Sequence, residues 1–329
     1  MGTRPEVIKM FPVVDALRRA GVDARLIHLG QHLELSSDAF EAFGLTADID
    51  LAVMTAGQTP SGVASRVLDR LGPVLDELLP SWLVQGDTTT VLAAAIATAH
   101  FAPTSTAADA LRGEGVPAER VTVTGNTVID ALRWACDRLP PAPLDPALAD
   151  LDPTRPLILL TTHRRENFGA GLVGVFSAVR RIGQRRPDVQ FLFPVHPNPA
   201  VRAEAQRCLG PLPWVTMTRP LGYLDLARVL SRCSLVLTDS GGLQEEAPAL
   251  GKQVLVLREV TERPEAITVG MARLVGTDPD LIVASVLTAL DHPVERPTSP
   301  YGDGRAGQRI ADALLGRPVE PFRALAAVA

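Results

Sequence analysis

With 329 residues, 46% of them apolar, the chain is long enough for about two domains, each with its own core. Thirty-two basic against 37 acidic side chains leave a formal charge of −5, the wrong sign for a general nucleic-acid-binding surface. No apolar run reaches the roughly 18 residues of a membrane span, and the start Met1-Gly2-Thr3-Arg4-Pro5-Glu6 lacks the apolar stretch of a signal peptide, so a cytoplasmic protein with no membrane contact is expected.

In chain order, the periodicity predicts a helix over 7–20, with Pro5 and Glu6 suited to its first turn. Strands follow over 24–29 and 82–85. Gly86-Asp87-Thr88 then opens a helix over 91–99, and 121–123 is a further strand candidate. Six prolines fall between Leu139 and Pro156, where no amphipathic period survives, and this stretch reads as a linker. Beyond it, near-continuous apolar strands over 157–160, 189–193, 235–238 and 254–257 alternate with helical patterns, as in parallel sheets covered on both faces. The expected layout is an N-terminal α/β domain over 1–139, a linker over 140–156, a C-terminal α/β domain over 157–300, and a terminal segment, 301–329. That segment's helix, over 305–315, is expected to pack back on the N-terminal domain. Cys136, Cys208 and Cys233 are odd in number and widely spaced, which suggests neither a disulfide framework nor a zinc site.

Candidate chemistry gathers at the carboxyl ends of these strands, where α/β folds place ligands. After 235–238 comes Asp239-Ser240-Gly241-Gly242-Leu243-Gln244-Glu245-Glu246, a glycine turn entering a helix. Such a turn points free N–H groups at an anion, and Ser240 adds a hydroxyl; an ordinary βα turn explains the same glycines. Glu245 and Glu246 suit ribose hydroxyls, or simply the helix dipole. After 157–160, Thr161-Thr162-His163-Arg164-Arg165-Glu166-Asn167 sets two arginines and a histidine where they suit phosphate and proton transfer, or else a solvated loop with Arg–Glu pairs. Arg4 sits where it could reach an anion. Asp87 is a helix cap or a catalytic carboxylate. His196-Pro197-Asn198 and Thr261-Glu262-Arg263-Pro264-Glu265 add polar loops to the same kind of edge.

Taken together, Gly2-Thr3-Arg4-Pro5-Glu6, Gly86-Asp87-Thr88-Thr89-Thr90, Thr124-Gly125-Asn126-Thr127, His163-Arg164-Arg165-Glu166, His196-Pro197-Asn198, the run from Asp239 to Glu246 and Glu262-Arg263-Pro264-Glu265-Ala266 closely resemble the non-hydrolysing UDP-N-acetylglucosamine 2-epimerases, in order and approximate spacing over nearly the whole chain. The resemblance implies two Rossmann-like domains in the glycosyltransferase-B arrangement, with the ligand cleft between them, usually as a homodimer. It implies reversible conversion of UDP-N-acetylglucosamine to UDP-N-acetylmannosamine by UDP elimination and re-addition, with no NAD, metal or other cofactor. By resemblance, Arg4 and His163 contact the diphosphate, Ser240 and Gly241 form its N–H cradle, and Glu246 holds the ribose. Asp87 and His163 are similar to the family's catalytic groups, and Lys9 to a support of that site. Gln31, Arg66, Arg164 and His196 resemble positions that bind a second, regulatory UDP-sugar.

The chain departs from the family pattern in two places. No apolar strand precedes Gly2-Thr3-Arg4. The helix over 91–99 runs directly into His100-Phe101-Ala102-Pro103, where family members carry roughly forty more residues, a large piece of a typical domain, including two glutamates implicated in proton transfer. The N-terminal sheet is therefore expected to be short of strands, with no strand-like run before Phe101 to receive the crossover. Alternative readings are a UDP-sugar-binding pseudoenzyme that lost those glutamates and, on the nucleotide cradle alone, a glycosyltransferase.

Overall fold

The computed structural model describes residues 1, 3–30, 33–55, 59–78, 83, 99–294 and 297–324. They form two compact units, one of Met1–Ala131 with Gly302–Arg323, the other of Leu132–Tyr301.

In the first unit, helix α1 (Arg4–Arg19) has Pro5 and Glu6 in its first turn and Arg18 and Arg19 in its last, each on the side its charge or ring geometry favours. Val7, Ile8, Met10, Phe11, Pro12, Val13, Val14 and Ala16 are all buried, so the helix is covered round most of its circumference and not along a single stripe. Strands β1 (Ile27–His28) and β2 (Ile49–Asp50) pair in parallel around helix α2 (Leu33–Ala42), and Phe43 stacks on Phe11 with ring centroids 4.3 Å apart. Helix α3 (Pro60–Leu78) closes this pair, its Val63 and Val67 packing on Leu29, Leu51 and Val53. Strand β3 (His100–Ala102), helix α4 (Ser105–Gly113), strand β4 (Val121–Val123) and helix α5 (Thr127–Cys136) follow, with β3 and β4 parallel. The expectation of no strand at Phe101 is therefore corrected: three residues pair there before Pro103, too few to leave a periodic signal. Among the described residues this unit has two parallel strand pairs. The predicted strand over 82–85 and helix over 91–99 lie outside the described residues, Leu83 and Ala99 apart.

The second unit is a six-stranded parallel sheet. It comprises β5 (Leu157–Thr161), α6 (Ala170–Arg185), β6 (Gln190–Pro194), α7 (Pro199–Leu209), β7 (Val215–Thr218), α8 (Tyr223–Arg232), β8 (Leu235–Thr238), α9 (Gly241–Ala249), β9 (Gln253–Val256), α10 (Pro264–Thr268), β10 (Ala272–Leu274) and α11 (Pro279–Asp291). The strand order is β10-β9-β8-β5-β6-β7, in which the chain leaves β5 toward one edge and returns at β8 on its other side. That reversal opens a crevice at the carboxyl ends of β5 and β8. Ile158, Leu159, Leu160, Val236 and Leu237 are fully or almost fully buried, because helices cover both faces.

The proline-rich residues read as a linker are tied down on this unit. Asp225 of α8 accepts the N–H groups of Leu144 and Asp145 at 3.0 and 2.7 Å, and Gln190 accepts that of Asp152 at 3.2 Å. The division between the units falls instead within α5, between Ala131 and Leu132. After Tyr301 the chain returns to the first unit as α12 (Ala306–Leu314), packed on α1. The approach is closest at Gly307, where a Cβ would stand 2.6 Å from the carbonyl oxygen of Pro12. Among the described residues no helix is long and apolar enough to cross a membrane.

Candidate functional site

The β5–β8 crevice is organised by Asp239, a fully buried carboxylate just past β8. It accepts from the main-chain N–H of His163 (3.1 and 3.0 Å to its two oxygens), that of Arg164 (3.0 Å), the Thr162 hydroxyl (3.1 Å) and Asn167 Nδ2 (3.0 Å). His163 Nδ1 lies 3.0 Å from Asp239 Oδ1. Burial by itself would push the Asp239 carboxyl up, but the His163 side chain and the N–H groups of Arg164 and His163 outweigh it and hold the group below the usual carboxylate range. Asn167 also donates to the Leu257 carbonyl at 3.1 Å, so one buried amide joins the ends of β8 and β9 to the loop after β5. Deeper, the hydroxyls of Thr161 and Thr238 hydrogen bond across the two strands.

Ser240 is the N-cap of α9, and its own side chain makes no capping hydrogen bond. The first N–H groups of α9 are therefore left to a ligand or to water. A Cβ on Gly241 would stand 3.3 Å from Glu262 Oε1 and 3.8 Å from an Arg164 guanidinium nitrogen, so the glycine keeps this mouth open. The next turn is buried. Gln244 donates to the Ser240 carbonyl (3.1 Å) and accepts from the Thr261 hydroxyl (2.6 Å), Glu245 pairs with Arg263, and Glu246 accepts from the Tyr223 hydroxyl at 3.2 Å.

A charged rim surrounds the mouth. Glu262 bridges Arg164 (3.3 Å) and Arg258 (2.7 Å), and Arg258 also reaches Glu166 at 3.2 Å. The His163 and His196 rings lie 6.4 Å apart with planes 20° from parallel. Burial and the neighbouring His163 hold the His196 imidazole below its ordinary value, only partly offset by Asp239. Among the described residues no group of three or more His, Cys, Asp and Glu side chains is placed to hold a metal ion.

The second unit thus brings together His163, Arg164, His196, Ser240, Gly241 and Glu246 from the sequence-derived set. In the first unit, Arg4 opens α1 and pairs with Asp38 at 3.6 Å, Lys9 stands half-buried on the same helix, and Arg66 of α3 donates to the Val53 carbonyl at 2.8 Å. Asp87 and Gln31 lie outside the described residues. Asp239 and Asn167 stood within the motifs but were assigned no role there, and Tyr223 lay outside them. Asp239's only sequence signal is an acidic residue set between a buried strand and a Ser-Gly-Gly turn.

A parallel sheet whose order reverses beside a glycine turn defines the doubly wound class of α/β domain, which holds phosphorylated ligands at that reversal. A family model described as UDP-N-acetylglucosamine 2-epimerase matches residues 15–99 and 94–315. The UDP-N-acetylglucosamine 2-epimerase of Yersinia pestis is 39% identical over 367 positions, covering 97% of this chain and 98% of its own. That of Salmonella typhimurium is 40% identical over 362 positions, covering 95% and 96%. The crystal structure of UDP-GlcNAc 2-epimerase from Neisseria meningitidis bound to UDP-GlcNAc superposes with a TM-score of 0.88 at 33% identity, covering 96% of this chain and 98% of that one. The chain belongs to the UDP-N-acetylglucosamine 2-epimerase family, and its fold is the family's two-part, glycosyltransferase-B-like α/β architecture. The Yersinia alignment spans 367 positions against the 329 residues here, so at least 38 of them have no counterpart in this chain. The two stretches matched by the family model overlap at 94–99, directly before His100.

Proposed function

We propose that the chain interconverts UDP-N-acetylglucosamine and UDP-N-acetylmannosamine. A base removes the C2 proton as the C1–O bond to UDP breaks, giving 2-acetamidoglucal and UDP. UDP then re-adds at C1 while a proton returns to the opposite face of C2. The observation that carries this reading is the β5–β8 crevice, in which the open start of α9 at Ser240 and Gly241 and the buried Glu246 follow β8, while the exposed His163 after β5 is held by the buried Asp239. A diphosphate leaving group requires such donors, because its charge grows as the bond breaks and prearranged N–H groups strengthen with it.

In this reading Ser240 and Gly241 cradle the diphosphate, with His163 and Arg4 against it. Glu246 takes the ribose hydroxyls, held for that purpose by Tyr223. Asp87 serves in proton transfer at C2, with Lys9 in support. Arg66, Arg164, His196 and Gln31 bind a second UDP-N-acetylglucosamine. The protein works in the cytoplasm as a homodimer without a cofactor. Proton NMR of the protein with UDP-N-acetylglucosamine in D₂O tests the chemistry: UDP-N-acetylmannosamine carrying deuterium at C2 is the expected product. UDP binding without C2 exchange would overturn the reading and leave a nucleotide-sugar binder.

A further inference from the structure

Asp239 takes no part in the bond changes above, yet five donors from four residues converge on it. A carboxylate so supplied stays ionised although it is removed from water, and an ionised carboxylate only accepts. The hydrogen between it and the His163 ring, across 3.0 Å, therefore sits on Nδ1. A neutral imidazole carries a single N–H, so Nε2 is left as the acceptor. That nitrogen has no partner among the described residues, and the ring is 42% exposed.

The same carboxylate grips the main chain of His163 and Arg164, so the ring cannot turn away by carrying its backbone with it. The ring beside it is wired the opposite way. His196 Nδ1 accepts the N–H of Asn198 at 3.2 Å, which places the proton of neutral His196 on Nε2. Two nearly parallel imidazoles at one crevice thus present nitrogens of opposite character.

We propose that Asp239 is a positioning residue: it fixes His163 with its Nδ1 hydrogen donated to the carboxylate and turns Nε2 toward the bound UDP-sugar, where that nitrogen, once protonated, donates to the departing diphosphate. This rests on reading the crevice as the UDP-sugar site of an epimerase. A carboxylate behind a histidine holds tautomer and orientation together, and both determine whether the ring's other nitrogen can exchange a proton with a ligand.

The test uses the full-length protein labelled with nitrogen-15 histidine. Long-range proton–nitrogen correlation spectra are recorded above the imidazole titration range, with the two rings assigned through His163→Asn and His196→Asn. The expected result is an Nδ1–H His163 beside an Nε2–H His196. In Asp239→Asn the Nδ1–H form of His163 is lost, and kcat for C2 exchange in D₂O falls about 10²-fold or more. A wild-type His163 protonated at Nε2 would overturn the proposal, and this measurement needs no variant of Asp239 to fold. A folded Asp239→Asn protein exchanging C2 hydrogen within about threefold of wild type would also overturn it, since a positioned acid–base group contributes far more than that. An Nδ1–H His163 in a protein that exchanges no C2 hydrogen upholds the positioning and sinks the epimerase reading instead.

Discussion

Replacing Asp130 with asparagine is expected to remove a pH dependence from the stability of the first unit. Asp130 lies on α5 and accepts the Gly307 N–H at the start of α12 at 2.8 Å through Oδ1, while its other oxygen is buried without a hydrogen-bond partner among the described residues. Burial pushes this carboxyl up to about 6, from 3.8 when unfolded, despite the pull of the Gly307 N–H. The native state therefore holds its proton more tightly than the unfolded chain, so stability is fully present below the unfolded value of 3.8 and falls as pH rises toward about 6. A shift of about two units corresponds to about 3 kcal/mol, and the partial exposure of the group reduces this to about 1–2 kcal/mol. Asparagine keeps the acceptor for Gly307 and cannot ionise. Thermal melts across this pH range should show the variant matching wild type at the acid end and exceeding it by a few degrees at neutrality. A variant no more stable than wild type at neutral pH, or an offset that does not change with pH, would refute the assignment.

Gly241→Ala places a methyl group at the mouth of α9, 3.3 Å from Glu262 Oε1, and should weaken UDP binding about tenfold or more by calorimetry while leaving the melting temperature nearly unchanged. Glu262→Gln removes a negative charge beside Arg164 and should tighten UDP binding about two- to fivefold, in keeping with the ~0.2–1 kcal/mol of a partly exposed ion pair; weaker binding would mean that Glu262 itself holds the ligand. Gly307→Ala forces a methyl group against the Pro12 carbonyl at 2.6 Å and should destabilise the α1–α12 contact by about 1–3 kcal/mol, seen as a lowered melting temperature. A loss below about 0.5 kcal/mol, the level of an ordinary surface substitution, would show that the two helices can separate without cost.

The central strands of the second unit were legible because helices cover both their faces, leaving the near-continuous apolar runs of β5, β6, β8 and β9. The edge strands β7, Val-Thr-Met-Thr, half-buried throughout, and β10, Ala-Arg-Leu, with Arg273 exposed, carry no such run and form strands only because a neighbour supplies the ladder. The candidate site was legible to the same extent. Ser240, Gly241 and His163 were identified by their position at strand ends, a local property. Asp239 stood in the motif without a role because that role depends on β8 lying beside β5, which brings it to a residue 76 positions earlier in the chain. The proline-rich stretch misled for a related reason: loss of helical period marks the absence of regular structure, whereas its anchoring to Asp225, some 80 positions further on, is a tertiary fact.

Because Gly302–Arg323 belongs to the same compact unit as Met1–Ala131, the second unit is a sequence insertion within the first. A ribosome adding roughly 5–20 residues per second would deliver the whole of Leu132–Tyr301 before α12 emerges. The α1 surface around Pro12 then stays uncovered for on the order of ten seconds or more, with Phe11 and Val14 on neighbouring positions. The insertion can finish folding during that interval, while the host waits for its last helix. Synthesis therefore orders the two halves in reverse of their reading order, and the period of greatest exposure to aggregation or chaperone capture falls on the amino-terminal part of the chain.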